Sequence, residues 1–133
     1  MRLFVDCDDT LVLWKYEEIE VAGRTLYTLP NEGEKYTVNL PLIDAVRVYM
    51  LRHPECTLVI WSGGGVDYAA RWARKFFEGV KYLIENKNVK YPQEGDICVD
   101  DILDLKVVAK LYTPQEAIER LNEEYDNANA SEQ

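Results

Sequence analysis

No apolar run in this chain approaches the ~20 residues a helix needs to cross a bilayer. Its start shows no basic stretch followed by a long apolar one, so no secretory signal is read there. Cysteine is sparse: Cys7, Cys56 and Cys98 are odd in number and widely spaced. Each lies in or beside an apolar, strand-like run, which reads as reduced, mostly buried thiols and points to the cytoplasm. Histidine is rarer still. The only one, His53, falls at an expected helix end and reads as a terminal cation. Basic residues are outnumbered, 15 Lys and Arg against 24 Asp and Glu, for a net charge of −9. That balance disfavours nonspecific attraction to nucleic acid or to an anionic membrane. A nucleic-acid end stays admissible as a substrate, where a local basic patch would serve. Internal repeats, low-complexity tracts and dividing linkers are all absent.

What is present fits one domain. The 133 residues bury one core and are too few for two. A hydrophobic content of 47% with 29% charged residues is ordinary for a globular protein. Met1 to Val5 reads as a short strand buried on both faces. Residues 12 to 38 alternate β-branched and aromatic residues with turn formers. They read as a hairpin or small three-stranded flap with turns near Gly23 and Asn31-Glu32-Gly33. Pro41 suits the first turn of a helix capped by Asn39 or Leu40 and running to about His53, with Leu42, Ala45, Val46, Tyr49 and Met50 on one face. "CTLVIWS" is the next buried strand, "GGG" follows, and a helix from Val66 to Phe77 ends at Gly79. "VKYLIEN", "DICVDD" and "AKLYT" supply three further strands. Thr113, Pro114 and Glu116 form a capping box for a last helix to about Tyr125. The domain spans 1–126, and 127–133 reads as a frayed tail. Such alternation predicts a three-layer α/β/α sandwich around a parallel, Rossmann-like sheet.

Within that frame the stretch "FVDCDDTLV" stands out, because Asp6, Asp8 and Asp9 crowd behind a strand and repel one another. A divalent metal, a reaction needing paired carboxylates or a plain acidic turn would each account for them. In open parallel sheets, ligands sit beyond the carboxyl ends of the strands. Asp6, Asp8, Ser62, Lys87 and the Asp100-Asp101 pair all fall at or just past such ends. Taken singly, each has an ordinary reading: Ser62 as a helix cap, the glycines after it as a tight turn, and Lys87 as a surface lysine.

"DCDDTL" resembles the first motif of the haloacid dehalogenase (HAD) superfamily, two aspartates two residues apart followed by threonine and an apolar residue. "TLVIWS" resembles its second motif and "ICVDD" its fourth, so the resemblance covers residues 3 to 101 in order. It implies a Mg²⁺-dependent phosphatase, a hydrolase of phosphoric monoesters that works through an aspartyl-phosphate. Asp6 would be the nucleophile and Asp8 the general acid and base. Cys7, between them, would point into the sheet packing. Mg²⁺ would be held by Asp6, by the Asp8 backbone carbonyl and by Asp101, with Asp100 supporting through water. Ser62 and the amides near Gly63 and Gly64 would bind phosphate oxygens. The motif lysine is Lys87 or Lys90, and both stay open. Asp104 comes one residue early for the longer fourth-motif pattern and reads as a helix-start acid.

The insert at 12–38 is short, and residues 88 to 95 read as a loop, which implies a minimal, capless member with an open site. Capless relatives act on macromolecular ends, on phosphoproteins or on small phosphates, and some borrow a neighbouring subunit as lid. The substrate class and a homo-oligomer therefore stay open. Trp14 and Tyr16 are placed near the site entrance. Two further readings stand beside the hydrolase: a receiver-like phosphoacceptor and a non-catalytic binding domain of the same fold. Against the receiver, the lysine here precedes the final acid pair.

Overall fold

The computed structural model describes residues 1–28, 36–87, 92–102 and 109–131. Along the chain, β1 (Arg2–Asp6) is followed by β2 (Val12–Trp14), β3 (Glu17–Val21), β4 (Arg24–Thr28) and β5 (Tyr36–Val38). Then come α1 (Leu40–Arg52), β6 (Thr57–Ser62), α2 (Val66–Phe76), β7 (Tyr82–Asn86), β8 (Ile97–Val99), β9 (Lys110–Tyr112) and α3 (Pro114–Ser131).

Five strands form one sheet in the order β7-β6-β1-β8-β9, with every neighbouring pair parallel. The apolar runs explain why these segments are central. Leu3, Phe4 and Val5, then Leu58 to Trp61, then Ile97 to Val99 are buried on both faces of the sheet. Successive side chains alternate between faces, so the register sorts them into rows. Leu3, Val5, Leu58, Ile60, Ile97 and Val99 share a large cluster with apolar residues of all three helices. Phe4, Val59, Trp61 and Cys98 form a smaller cluster with Leu111. Among the described residues no helix belongs to that second cluster, so the second helical layer expected from the sequence is not described.

The chain steps outward from β1 to β6 and β7, then returns to the other side of β1 for β8 and β9. The direction of travel therefore reverses between β1 and β8. In open α/β sheets that reversal is where the loops diverge and leave a crevice beyond the carboxyl ends of the strands.

Local signals set the helix starts. Asn39 caps α1, its side chain accepting from the Leu42 amide at 3.4 Å while its own amide donates to the Thr10 carbonyl at 2.9 Å. At α3 the Thr113 hydroxyl accepts from the Glu116 amide at 3.1 Å, and Glu116 accepts from the Thr113 amide at 3.2 Å. The last helix continues to Ser131 and not only to Tyr125. No glycine or proline after Pro114 stops it, so the tail expected at 127–133 is helical as far as Ser131.

The insert also differs from a three-stranded arrangement. β3 pairs with β4, and β2 pairs with β5, as two separate antiparallel ladders. The Val21↔Arg24 pair is closed by Ala22 and Gly23, with φ of 52° and 77°. Positive φ at both central residues matches the twist of a tight two-residue turn. The second turn expected, at Asn31-Glu32-Gly33, lies outside the described residues.

Asp96 ties β8 to β1. It accepts from the Arg2 amide at 2.9 Å, from the Arg2 guanidinium at 2.7 Å and from the Gln93 amide at 2.8 Å. Burial alone would raise its carboxyl, but these donors outweigh burial and hold it below the usual aspartate range. A depressed folded value stabilises the native state above the unfolded value near ~4, and the gain fades as pH falls through the folded value. We expect Asp96→Asn to lower the denaturant midpoint at neutral pH and to flatten the loss of stability below pH ~4. An unchanged acid limb in urea titrations would contradict this.

Candidate functional site

β1 and β8 run parallel in the register Val5↔Val99, so the next residues, Asp6 and Asp100, end side by side at the reversal point. Both are buried, Asp6 at 5% exposure and Asp100 at 0%. Such a pair needs compensation, and β7 supplies it. Lys87 follows that strand and stays bound to the sheet end, its amide donating to the Ser62 carbonyl at 3.1 Å. Its Nζ lies 3.5 Å from Asp6 Oδ1 and donates to Asp100 Oδ2 in a close contact. The ammonium also sits 5.5 Å from the centre of the Trp61 ring, against the smaller cluster.

Two further donors fix the acids. Thr10, itself fully buried, donates from Oγ1 to Asp6 Oδ2 at 3.1 Å. The Ile102 amide donates to Asp100 Oδ1 at 3.0 Å. Asp100 is thus bonded on both oxygens. Asp101 is exposed and completes the group: one carboxylate oxygen from each of Asp6, Asp100 and Asp101 lies within 4.8 Å of the others.

The electrostatics follow from this crowding. Burial, and after it Asp100, push the Asp6 carboxyl far above the usual aspartate range, with Lys87 pulling the other way. A hydrogen bond between the Asp6 and Asp101 carboxyls adds to the rise. Partial burial, with Asp100 nearby, raises Asp101 as well, although its bond to Asp6 works in the opposite direction. Burial would lower Lys87, but the two acids outweigh it and keep it charged. With all three acids ionised, one ammonium would leave two negative charges uncompensated, and that repulsion is part of what raises Asp6 and Asp101. Carboxyls this close are stabilised by a proton or a cation held between them. The donor set consists of hard oxygens, the kind that suits Mg²⁺ or Ca²⁺ better than softer metals.

The loop after β1 holds the other acids. The Cys7 carbonyl accepts from the amides of Leu11 at 2.9 Å and Val12 at 3.1 Å, which turns the chain sharply. Asp9 sits at φ 56°, a left-handed conformation that aspartate tolerates better than most residues. Its carboxylate accepts from the Trp14 amide at 3.3 Å and from the Tyr16 hydroxyl at 2.5 Å. Asp8 faces a different set of partners from Asp6. Its Oδ1 accepts from Trp14 Nε1 at 2.9 Å and from the Tyr68 hydroxyl in a close contact. Cys7, between Asp6 and Asp8, is fully buried in the larger cluster.

Ser62 ends β6 at 2% exposure, and its Oγ accepts from the Gly64 amide at 3.0 Å. Gly63 and Gly64 are exposed just before α2. A Cβ on Gly64 would come within 3.2 Å of the Tyr68 ring and 3.3 Å of Ser62 Oγ. A side chain there would need the Tyr68 ring and Ser62 Oγ to give by a few tenths of an ångström.

Of the residues singled out from sequence, Asp6, Lys87, Asp100 and Asp101 meet in one cluster. Asp8 stands in an adjoining network, and Ser62 shares the sheet end with Lys87. Lys90 and Asp104 lie outside the described residues. Thr10, the hydroxyl of "DCDDT", joins the site through Asp6 without having been singled out by its spacing. Tyr68 carried no sequence signal, and Trp14, expected near the site entrance, donates to Asp8. No family model, curated protein or solved structure matches the chain.

Carboxylate crowding has a measurable signature. Asp101→Asn keeps a donor for Asp6 without needing a shared proton. We expect it to stabilise the metal-free protein by about 1 kcal/mol, with a larger gain at pH 8 than at pH 5. Thermal unfolding in a chelating buffer measures this, and a loss of stability at both pH values would contradict it.

Proposed function

We propose that the chain is a Mg²⁺-dependent phosphatase of the HAD type, hydrolysing a phosphomonoester through an aspartyl-phosphate on Asp6. The observation that carries the reading is the meeting of Asp6, Asp100, Asp101 and Lys87 at the point where strand order reverses. Ordered along the chain as an acid motif, a strand-end serine, a lysine and an acid pair, these residues match the motifs that the sequence resembles. The strand order also suits a Rossmann-like, three-layer sandwich, because right-handed crossovers leading away from β1 in opposite directions fall on opposite faces. The two antiparallel ladders of the insert would then form a small flap beside an open, capless site.

In this reading Asp6, Asp101 and the Asp8 backbone carbonyl hold Mg²⁺, and Asp100 supports it. The fit rests on the donor set, which is all oxygen and two charges in excess. When bound, the ion supplies positive charge against the phosphoryl oxygens and relieves the repulsion among the acids.

The side chains carry the steps. A carboxylate oxygen of Asp6 attacks phosphorus and the bond to the leaving oxygen breaks. Asp8 gives that oxygen a proton. Water then attacks the acyl phosphate while Asp8 takes its proton, which frees inorganic phosphate and restores Asp6. Splitting hydrolysis in two gives each step a lower barrier than direct attack by water. Lys87 offsets charge on Asp6 and on the phosphoryl group, and Ser62 with the amides of Gly63 and Gly64 binds the phosphoryl oxygens. The substrate is a phosphorylated small molecule or the phosphorylated end of a macromolecule.

Turnover of para-nitrophenyl phosphate should require Mg²⁺ and vanish in Asp6→Asn. Lys87→Met should lower kcat by about 10²-fold, the scale for one preorganised charge at a developing anion. Activity that persists in Asp6→Asn, or that ignores chelation, would contradict the reading. A stable phosphoryl adduct without turnover would instead indicate a phosphoacceptor.

A further inference from the structure

Asp8 is held from two directions. Trp14 belongs to β2 of the insert, Tyr68 to the first turns of α2, and both donate to the same oxygen, Oδ1. Among the described residues, Oδ2 of Asp8 has no hydrogen-bond partner. The two donors are fixed in turn by an aromatic cluster. The Trp14 ring lies 5.2 Å from Tyr36 and 6.4 Å from Trp72, and Tyr68 lies 6.2 Å from Trp72. Trp72 is buried at 1% exposure and stacks on Phe76 at 5.6 Å. The Trp14 amide also binds Asp9, so one residue holds both acids of the turn.

A carboxyl oxygen has two lone pairs in the carboxyl plane. One N–H and one O–H donating to Oδ1 use both, so while both bonds are made a proton on Asp8 sits on Oδ2. We infer that Trp14 and Tyr68 are positioning residues that keep Oδ1 of Asp8 as an acceptor and leave Oδ2 as the atom that gives and takes the proton. Neither touches the reacting phosphoryl group, and both act through Asp8. The inference rests on the proposed reaction and adds the atom that moves the proton and the residues that select it. It also couples the insert to the chemistry, because moving β2 moves the Trp14 indole off Asp8.

Loss of an aimed general acid hurts poor leaving groups and spares good ones, whereas a general loosening of the site slows all substrates alike. The test compares the wild type, Tyr68→Phe, Trp14→Phe and Asp8→Asn on a series of aryl phosphates from phenyl to 2,4-dinitrophenyl with Mg²⁺. Tyr68→Phe removes one oxygen and keeps the ring, so it serves even if Trp14→Phe fails to fold. The expected result is a loss of at least about tenfold in kcat/KM on phenyl phosphate, within the range general acids supply. Little loss in kcat/KM on the dinitrophenyl ester should accompany it, because that ratio reports the steps up to release of the leaving group and not the later hydrolysis, in which Asp8 also acts. In the double variant Tyr68→Phe/Asp8→Asn, the loss should not exceed that of Asp8→Asn alone. Equal losses across the series would overturn the inference and leave the phosphatase reading standing. A wild type that turns over none of the esters would overturn both.

Discussion

Asp100 is the most demanding residue in the molecule. It is a fully buried carboxylate beside a second buried acid, and an unpaired charge in that position would cost several kcal/mol. Lys87 makes it tolerable, reaching from β7 past the ends of β6 and β1 to contact both acids. The arrangement depends on the sheet register, since Asp6 and Asp100 neighbour each other only while Val5 pairs with Val99. One ammonium cannot balance three carboxylates. The excess is what turns a structural ion pair into a candidate cation site.

Around that centre the chain builds a second, drier network. Trp14, Tyr36, Trp72 and Phe76 pack in tilted, edge-to-face and stacked pairs, joining the insert to α2. Lys75 covers part of this cluster, 2.9 Å from the Tyr36 hydroxyl and 5.4 Å from the centre of its ring. Burial of these large rings supplies most of the packing between the insert and α2. The polar tips of Trp14 and Tyr68 are then free to point at Asp8. The acid turn is therefore held by apolar packing on one side and by Lys87 on the other. In the proposed reaction these two supports have different tasks, one for the proton and one for the phosphoryl charge.

Much of the frame was legible in the residues. Uninterrupted apolar runs marked β1, β6 and β8 as buried strands, and Asn39, Pro41 and the Thr113–Glu116 box marked the helix starts. The acids were legible because they end those runs. What could not be read is whatever depends on pairing between distant segments. Asp100 and Asp101 are equivalent in sequence, and only the register turns the first toward Lys87 and leaves the second exposed. Tyr68 is an ordinary tyrosine of an amphipathic helix until folding brings it onto Asp8, 60 positions away. The insert's alternating pattern indicated strands, but its division into two ladders depends on which strand meets which. The polar tail suggests an earlier end to α3 than Ser131, but no glycine or proline interrupts it.

The account stands on Asp6 as the reacting carboxylate, with Asp101 beside it around one cation. The most direct measurement is a crystal structure of the protein with Mg²⁺ and beryllofluoride, a mimic of a phosphoryl group on aspartate. The account requires the beryllium on an Asp6 oxygen, Mg²⁺ between Asp6 and Asp101, and Lys87 still against Asp100. Beryllofluoride on another residue, or the ion bound away from these acids, would contradict it.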